Sequence, residues 1–104
     1  MNVLLTVEAI YDVADIADYI AEAFGEARAI RFEADIRKRF EGLGGYTHVG
    51  TGIRYNGSMI CKDVFPPSLI FFVVIDDTVH VLRVLREERD WPSELRRNQR
   101  YDYP

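Results

Sequence analysis

Three arginines at intervals of three residues, Arg83, Arg86 and Arg89, close the last hydrophobic run of this chain, DTVHVLRVLREERDW from Asp77 to Trp91. A guanidinium keeps its charge at any physiological pH and offers a planar fork of donors, so it suits a phosphate or a carboxylate held by two parallel hydrogen bonds. Arg54, upstream in THVGTGIR, is a fourth candidate cation. Cleavage of RNA would need a base for the 2′-hydroxyl, cations for the phosphorane charge and an acid for the leaving oxygen. His80, in TVHVL, could be that base, since histidine is the residue type most used as a general base, although mid-strand the default is an imidazole hydrogen-bonded within a sheet. Arg83 is bracketed by Leu82 and Val84 and is expected to be partly buried. There it either pairs with a carboxylate or carbonyls and fixes its strand, or presents a preoriented guanidinium to a phosphate or a partner's carboxylate. Arg86 and Arg89 stand past the apolar run, where side chains reach outward.

Other titratable groups point to less. Asp12, Asp15, Asp18 and Glu22 recur at helical spacing, but a convex helix face spreads carboxylates apart where a hard cation wants them converging. They read as a solvated face, and no metal is expected. His48 sits in a glycine-rich stretch and reads as a surface residue. No nucleophile elbow, phosphate-binding glycine loop, HExxH or dinucleotide fingerprint occurs, so no cofactor is expected. Cys61 is the one cysteine, which excludes an internal disulfide and fits a reducing cytoplasm. No basic leader and no membrane-length apolar run is present. The formal net charge is −4, the wrong sign for gripping nucleic acid over a broad surface. Charge is uneven, however: Glu8 to Glu26 carries six acids and no base, whereas from Arg83 onward six arginines face five acids. An anion-binding surface would be local and C-terminal.

The elements that must position these groups follow from periodicity. The 104 residues suffice for one domain with one core. Val3 to Val7 is apolar and β-branched enough for a short strand. From Glu8 the period becomes helical: Ile10, Val13, Ile16, Ala17, Ile20, Ala23 and Phe24 share an arc, with the acids opposite and Gly25 at the C-terminal cap. A second helix runs from about Glu26 to Gly42 with Ala29, Phe32, Ile36, Phe40 and Leu43 as its buried stripe, and so short a connection makes the two helices antiparallel neighbours. Gly42, Gly44, Gly45, Gly50 and Gly52 mark a long loop. Ser58–Phe65, Leu69–Ile75 and Val79–Leu85 are strands, broken by Pro66-Pro67 and by the polar turn at Asp76-Asp77-Thr78. In the last strand Val81, Arg83 and Leu85 should share one face and Leu82, Val84 and Arg86 the other. From about residue 92 the tail is expected to fray, after a helical turn capped by Asp90. The expected fold is α+β, ordered β-α-α-β-β-β, a helical hairpin packed on a mainly antiparallel sheet.

That order, with the helix opening AIYDVADIADYIAE, the loop THVGTGIR, the strand LIFFVVID and the closing VLRVLREERDW, resembles the RelE/ParE family of toxins from type II toxin–antitoxin systems, over Val3 to Trp91. The family's ribonuclease branch acts on messenger RNA in the ribosomal A site with basic residues and often a C-terminal tyrosine or histidine. If this chain did the same, Arg54, His80, Arg83, Arg86 and Arg89 would be its catalytic set. It departs from that branch: Trp91 follows the Arg89-Asp90 pair, Tyr101 and Tyr103 lie farther on, and the chain is acidic. The ParE branch, which is understood to poison DNA gyrase without catalysis of its own, is the closer likeness. The resemblance also implies a cognate antitoxin, a hetero-oligomer with it, and a segment of that partner that orders as a helix in a groove or as an added strand. Arg83, Arg86, Arg89 and Trp91 would be the contacts for its acids. A degenerate module that retains antitoxin affinity alone, or an unrelated small α+β domain, would fit the same elements.

Overall fold

The computed structural model describes residues 2–45, 51–55 and 58–88. The elements are β1 (Asn2–Leu5), α1 (Val7–Phe24), α2 (Glu26–Leu43), β2 (Thr51–Tyr55), β3 (Ser58–Phe65), β4 (Ser68–Ile75) and β5 (Thr78–Arg86). They form the expected α+β architecture with one strand more. The sheet order is β1-β5-β4-β3-β2, antiparallel except for β1, which runs parallel to β5. The extra strand is β2, which the glycines had assigned to a loop. Thr51, Ile53 and Tyr55 alternate in it, and Gly52 sits opposite Cys61 at the sheet margin, where the entropy a glycine gives up is tolerated. His48, Arg89, Asp90, Trp91, Tyr101 and Tyr103 lie outside the described residues, as does the expected tail.

The chain leaves β1 two residues earlier than the apolar run suggests, because Thr6 caps α1. Its Oγ1 accepts a hydrogen bond from the Ala9 N–H at 3.0 Å and donates one to the Leu82 carbonyl of β5 at 2.7 Å. Gly25 alone joins the two helices, at φ 101, a conformation open to glycine without steric cost. The β4–β5 turn puts Asp76 and Asp77 at φ 50 and 59, the pair of left-handed residues that matches a two-residue hairpin to the twist of its strands.

One core lies between the hairpin and the sheet. Ile16, Ala17 and Ile20 of α1 and Phe32, Ile36, Phe40 and Leu43 of α2 meet Ile70, Phe72, Val79, Val81 and Val84. A second cluster, Ile60, Leu69, Phe71, Val73, Leu82 and Leu85, occupies the opposite face. Between them β5 slips register: Phe71 pairs with Arg83 but Phe72 with Val81, leaving Leu82 as an inserted residue. This bulge overturns the simple alternation expected there. Val81 and Val84 face the helices while Leu82 and Leu85 face away, because an extra residue reverses the phase of all that follow it.

The expected buried arc of α1 was too wide. Ile10 is 54% and Phe24 56% exposed, whereas Ala9 is fully buried. The buried stripe runs only through Ala9, Val13, Ile16 and Ile20, and Asp12 stands about 70° round the helix from the middle of that stripe. That places Asp12 at the seam with β5 and not on the solvated face expected for it. Replacing Thr6 by alanine removes both a cap and the donor to Leu82; a loss of about 1–2 kcal/mol is expected. Thr6→Ser should recover most of it, as read by denaturant midpoint at unchanged m value.

Candidate functional site

The arginines of β5 are the place to begin, and the structure separates them. Arg83 is 8% exposed. Its Nε donates to Asp12 Oδ2 at 2.6 Å and its Nη2 to Oδ1 at 2.8 Å, a two-pronged pair in which both side chains are nearly dry, at 10% and 11% exposure. Asp12 Oδ2 also accepts the Val84 backbone N–H at 2.9 Å. Of the two readings the residues allowed, Arg83 thus takes the structural one, with a carboxylate on α1. Sequence reasoning had set Asp12 aside; its angular place beside the buried stripe was the signal that could have found it.

Arg86 points along the same flank of α1. Its guanidinium carbon lies 4.0 Å from the centroid of the Tyr19 ring, and its Nε is 2.9 Å from Glu88 Oε1. A cation held over an aromatic face and beside a carboxylate is already largely satisfied. Together Asp12, Asp15, Ile16, Tyr19 and residues 83–86 line a cleft of about 320 Å³. Arg54 is elsewhere: β2 is separated from β5 by β3 and β4, roughly 14 Å across the sheet at normal strand spacing. His80 lies between Leu4 of β1 and Val73 of β4, half-buried. Of the proposed nuclease residues, Arg83 and Arg86 line the cleft beside α1, while His80 stands mid-strand in β5 and Arg54 belongs to β2 at the other side of the sheet. Arg89, like Trp91, falls outside the described residues.

Other groups have structural occupations. Arg39 of α2 donates through Nε and Nη2 to Asp63 at 2.6 and 3.0 Å and lies over Phe65. The hydrogen bond to Asp63 raises the Arg39 pKa above its ordinary value, partly opposed by burial. Burial likewise pushes the Cys61 thiol up, which makes it a poor nucleophile near neutrality. The acids of α1 do not converge: Asp12 turns to Arg83, and Asp15, Asp18 and Glu22 remain exposed.

What the hairpin leaves open is a groove. Val3 and Leu5 of β1, Ile10, Val13 and Ala14 of α1, and Ile36 and Phe40 of α2 line a cleft of about 710 Å³, with Asn2, Glu33, Arg37 and Glu41 at its rim. Leu4 of β1 and Val7 and Tyr11 of α1 are also more than half exposed. Sequence reasoning missed the groove, since Ile10 and Val13 were assigned to the core arc of α1. No helix among the described residues is long and apolar enough to cross a membrane.

The sequence model of the family described as the ParE toxin of type II toxin–antitoxin system, parDE, matches residues 3–91. Among solved structures, one titled as the chromosomal ParDE toxin–antitoxin system from P. aeruginosa superposes with a TM-score of 0.73, covering 85% of this chain and 97% of that one. The two are 21% identical, so that likeness is one of fold. A search of curated proteins finds no match.

The division between the two arginines is measurable. Arg83→Ala strands the Asp12 carboxylate in a nearly dry seam and is expected to cost about 3 kcal/mol or more. Arg86→Ala gives up a partly exposed cation–π contact, about 1 kcal/mol or less. Urea unfolding of the two variants should separate by that margin; equal losses would mean that the seam is wetter than its geometry indicates.

Proposed function

We propose a mode of action for this chain, which belongs to the ParE family of toxins from type II toxin–antitoxin systems: it arrests growth by binding and inhibiting DNA gyrase in the cytoplasm, and a cognate antitoxin neutralises it. The observation that carries the reading is the occupation of the β5 arginines. Arg83 is committed to Asp12 and Arg86 to Tyr19 and Glu88, so neither is placed to stabilise a pentavalent phosphorus, which needs donors aimed at the developing charge. A protein that acts by occupying a surface needs no such set. The net charge of −4 supports a protein target over the phosphate-rich A site, where cations supply much of the affinity.

The antitoxin's seat in this reading is the groove between β1 and the helical hairpin. An amphipathic helix could bury its apolar stripe there on Val3, Leu5, Ile10, Val13, Ile36 and Phe40, the helix-in-groove mode by which a disordered segment orders on its partner. Arg83, expected as a contact for the antitoxin's acids, already pairs with Asp12, and the groove is the seat proposed in its place.

Purified toxin added to gyrase should inhibit supercoiling or trap cleaved DNA, and the antitoxin should reverse this. In cells, induction should bring DNA-damage signalling and filamentation while translation initially continues. Codon-positioned cleavage of messages in a purified translation system free of topoisomerase would replace this reading with the ribonuclease one.

A further inference from the structure

We infer that the charged ridge of α2 beside the groove is the code by which this toxin selects its antitoxin: the docking helix must present a cation, an anion and a cation at four-residue spacing next to its apolar stripe. This rests on the antitoxin reading above and adds to it the residues that discriminate among partners.

The groove wall on α2 is made of two parallel ridges. Ile36 and Phe40, 1% and 7% exposed, form the apolar floor. Glu33, Arg37 and Glu41 form the neighbouring ridge and are exposed. Residues four apart rise by about 6 Å, so this ridge displays alternating charge over about 12 Å, rather more than two turns. Among the described residues it is the source of charge on the groove: the facing wall, Val3, Leu5, Ile10, Val13 and Ala14, is apolar, and the Asn2 side chain is neutral.

These three heads also stand apart from the other charged groups that border apolar surface. Arg28 lies over Phe24, Arg39 is paired with Asp63, Arg83 with Asp12 and Arg86 with Glu88. Glu33, Arg37 and Glu41 have the spacing of helix-stabilising pairs, yet no ion pair joins them among the described residues. A helix seated on Ile36 and Phe40 brings its flank alongside this ridge, because neighbouring ridges and grooves of packed helices interdigitate. A partner with matched charges is attracted, and one with the inverse pattern sets three like charges together as water leaves. The ridge is symmetric about Arg37, so the code reads the same for a helix running in either direction.

The test uses the full-length toxin and the antitoxin encoded with it, with association followed at two salt concentrations. The triple variant Glu33→Lys, Arg37→Glu, Glu41→Lys changes only exposed side chains, and an unchanged melting temperature confirms its fold. Dissociation constants are expected to rise by tenfold to a hundredfold, on the order expected for like charges at an interface. The salt response should reverse sign: wild-type association slows as salt rises, and variant association quickens as repulsion is screened. Ile10→Asp, which places a charge in the groove, should weaken binding as well. Unchanged affinity and salt response in the triple variant would overturn the code while leaving the antitoxin reading intact, whereas wild-type affinity in Ile10→Asp would overturn the groove as the antitoxin's seat and the code with it. An antitoxin that fails to bind the wild-type chain would bring down that reading, and the code with it.

Discussion

A strand of four residues cannot cover a strand of nine, and much of this fold follows from how the shortfall is met. β1 ends at Leu5, opposite Val81, while β5 continues to Arg86. Beyond Val81 the backbone groups on that edge would be left in a nearly dry seam, where each unpaired group costs free energy comparable to a lost hydrogen bond. Side chains take the place of the missing strand. The Thr6 N–H reaches the Val81 carbonyl, the Thr6 hydroxyl the Leu82 carbonyl, and the Asp12 carboxylate the Val84 N–H. A carboxylate in that position needs a counter-charge, which Arg83 supplies from the same strand.

The clamp also explains why one arginine among several is buried. Ion pairs in low dielectric recover their desolvation cost only with good geometry and further hydrogen bonds. Asp12 and Arg83 have both: two parallel bonds and a backbone donor on the same oxygen. The Arg39–Asp63 pair at the other end of the hairpin repeats the two-pronged geometry, with Arg39 41% exposed. Between them the two pairs tie each helix to the sheet at a definite register, α1 to β5 and α2 to β3, which apolar contacts alone would leave freer to slide.

The helical hairpin and the three C-terminal strands were legible in the sequence because periodicity and turn residues agree there: Phe32, Ile36, Phe40 and Leu43 keep their spacing, and Ser58–Phe65 emerged with those same ends. Burial of Arg83 against a carboxylate was legible from Leu82 and Val84 on either side. Its partner was not, since a helical wheel gives an angle but not which strand edge will stand beside it. The bulge at Leu82 leaves no local mark and shifts every later face assignment. β2 was hidden by Gly50 and Gly52, whose turn preference outweighs Thr51, Ile53 and Tyr55 when no partner strand is in view. The groove was invisible for a related reason: Ile10 looks like core until the width of the sheet is known.

Both flanks of α1 then have separate work, and the clamp connects them. Asp12 and Tyr19 lie on the flank that meets β5, while Ile10 and Ala14 lie on the flank that lines the groove. A helix held at Thr6 and Asp12 cannot roll about its axis without breaking five hydrogen bonds: two from Thr6, its N–H to Val81 and its hydroxyl to Leu82, and three on the Asp12 carboxylate. Ile10 and Val13 are therefore presented to the groove at a fixed angle before any partner arrives. A surface ordered in advance gives up less freedom on association, so more of the contact free energy appears as affinity. On the proposed reading, the buried arginine would contribute to recognition through the helix it immobilises, from the side that a partner in the groove does not touch.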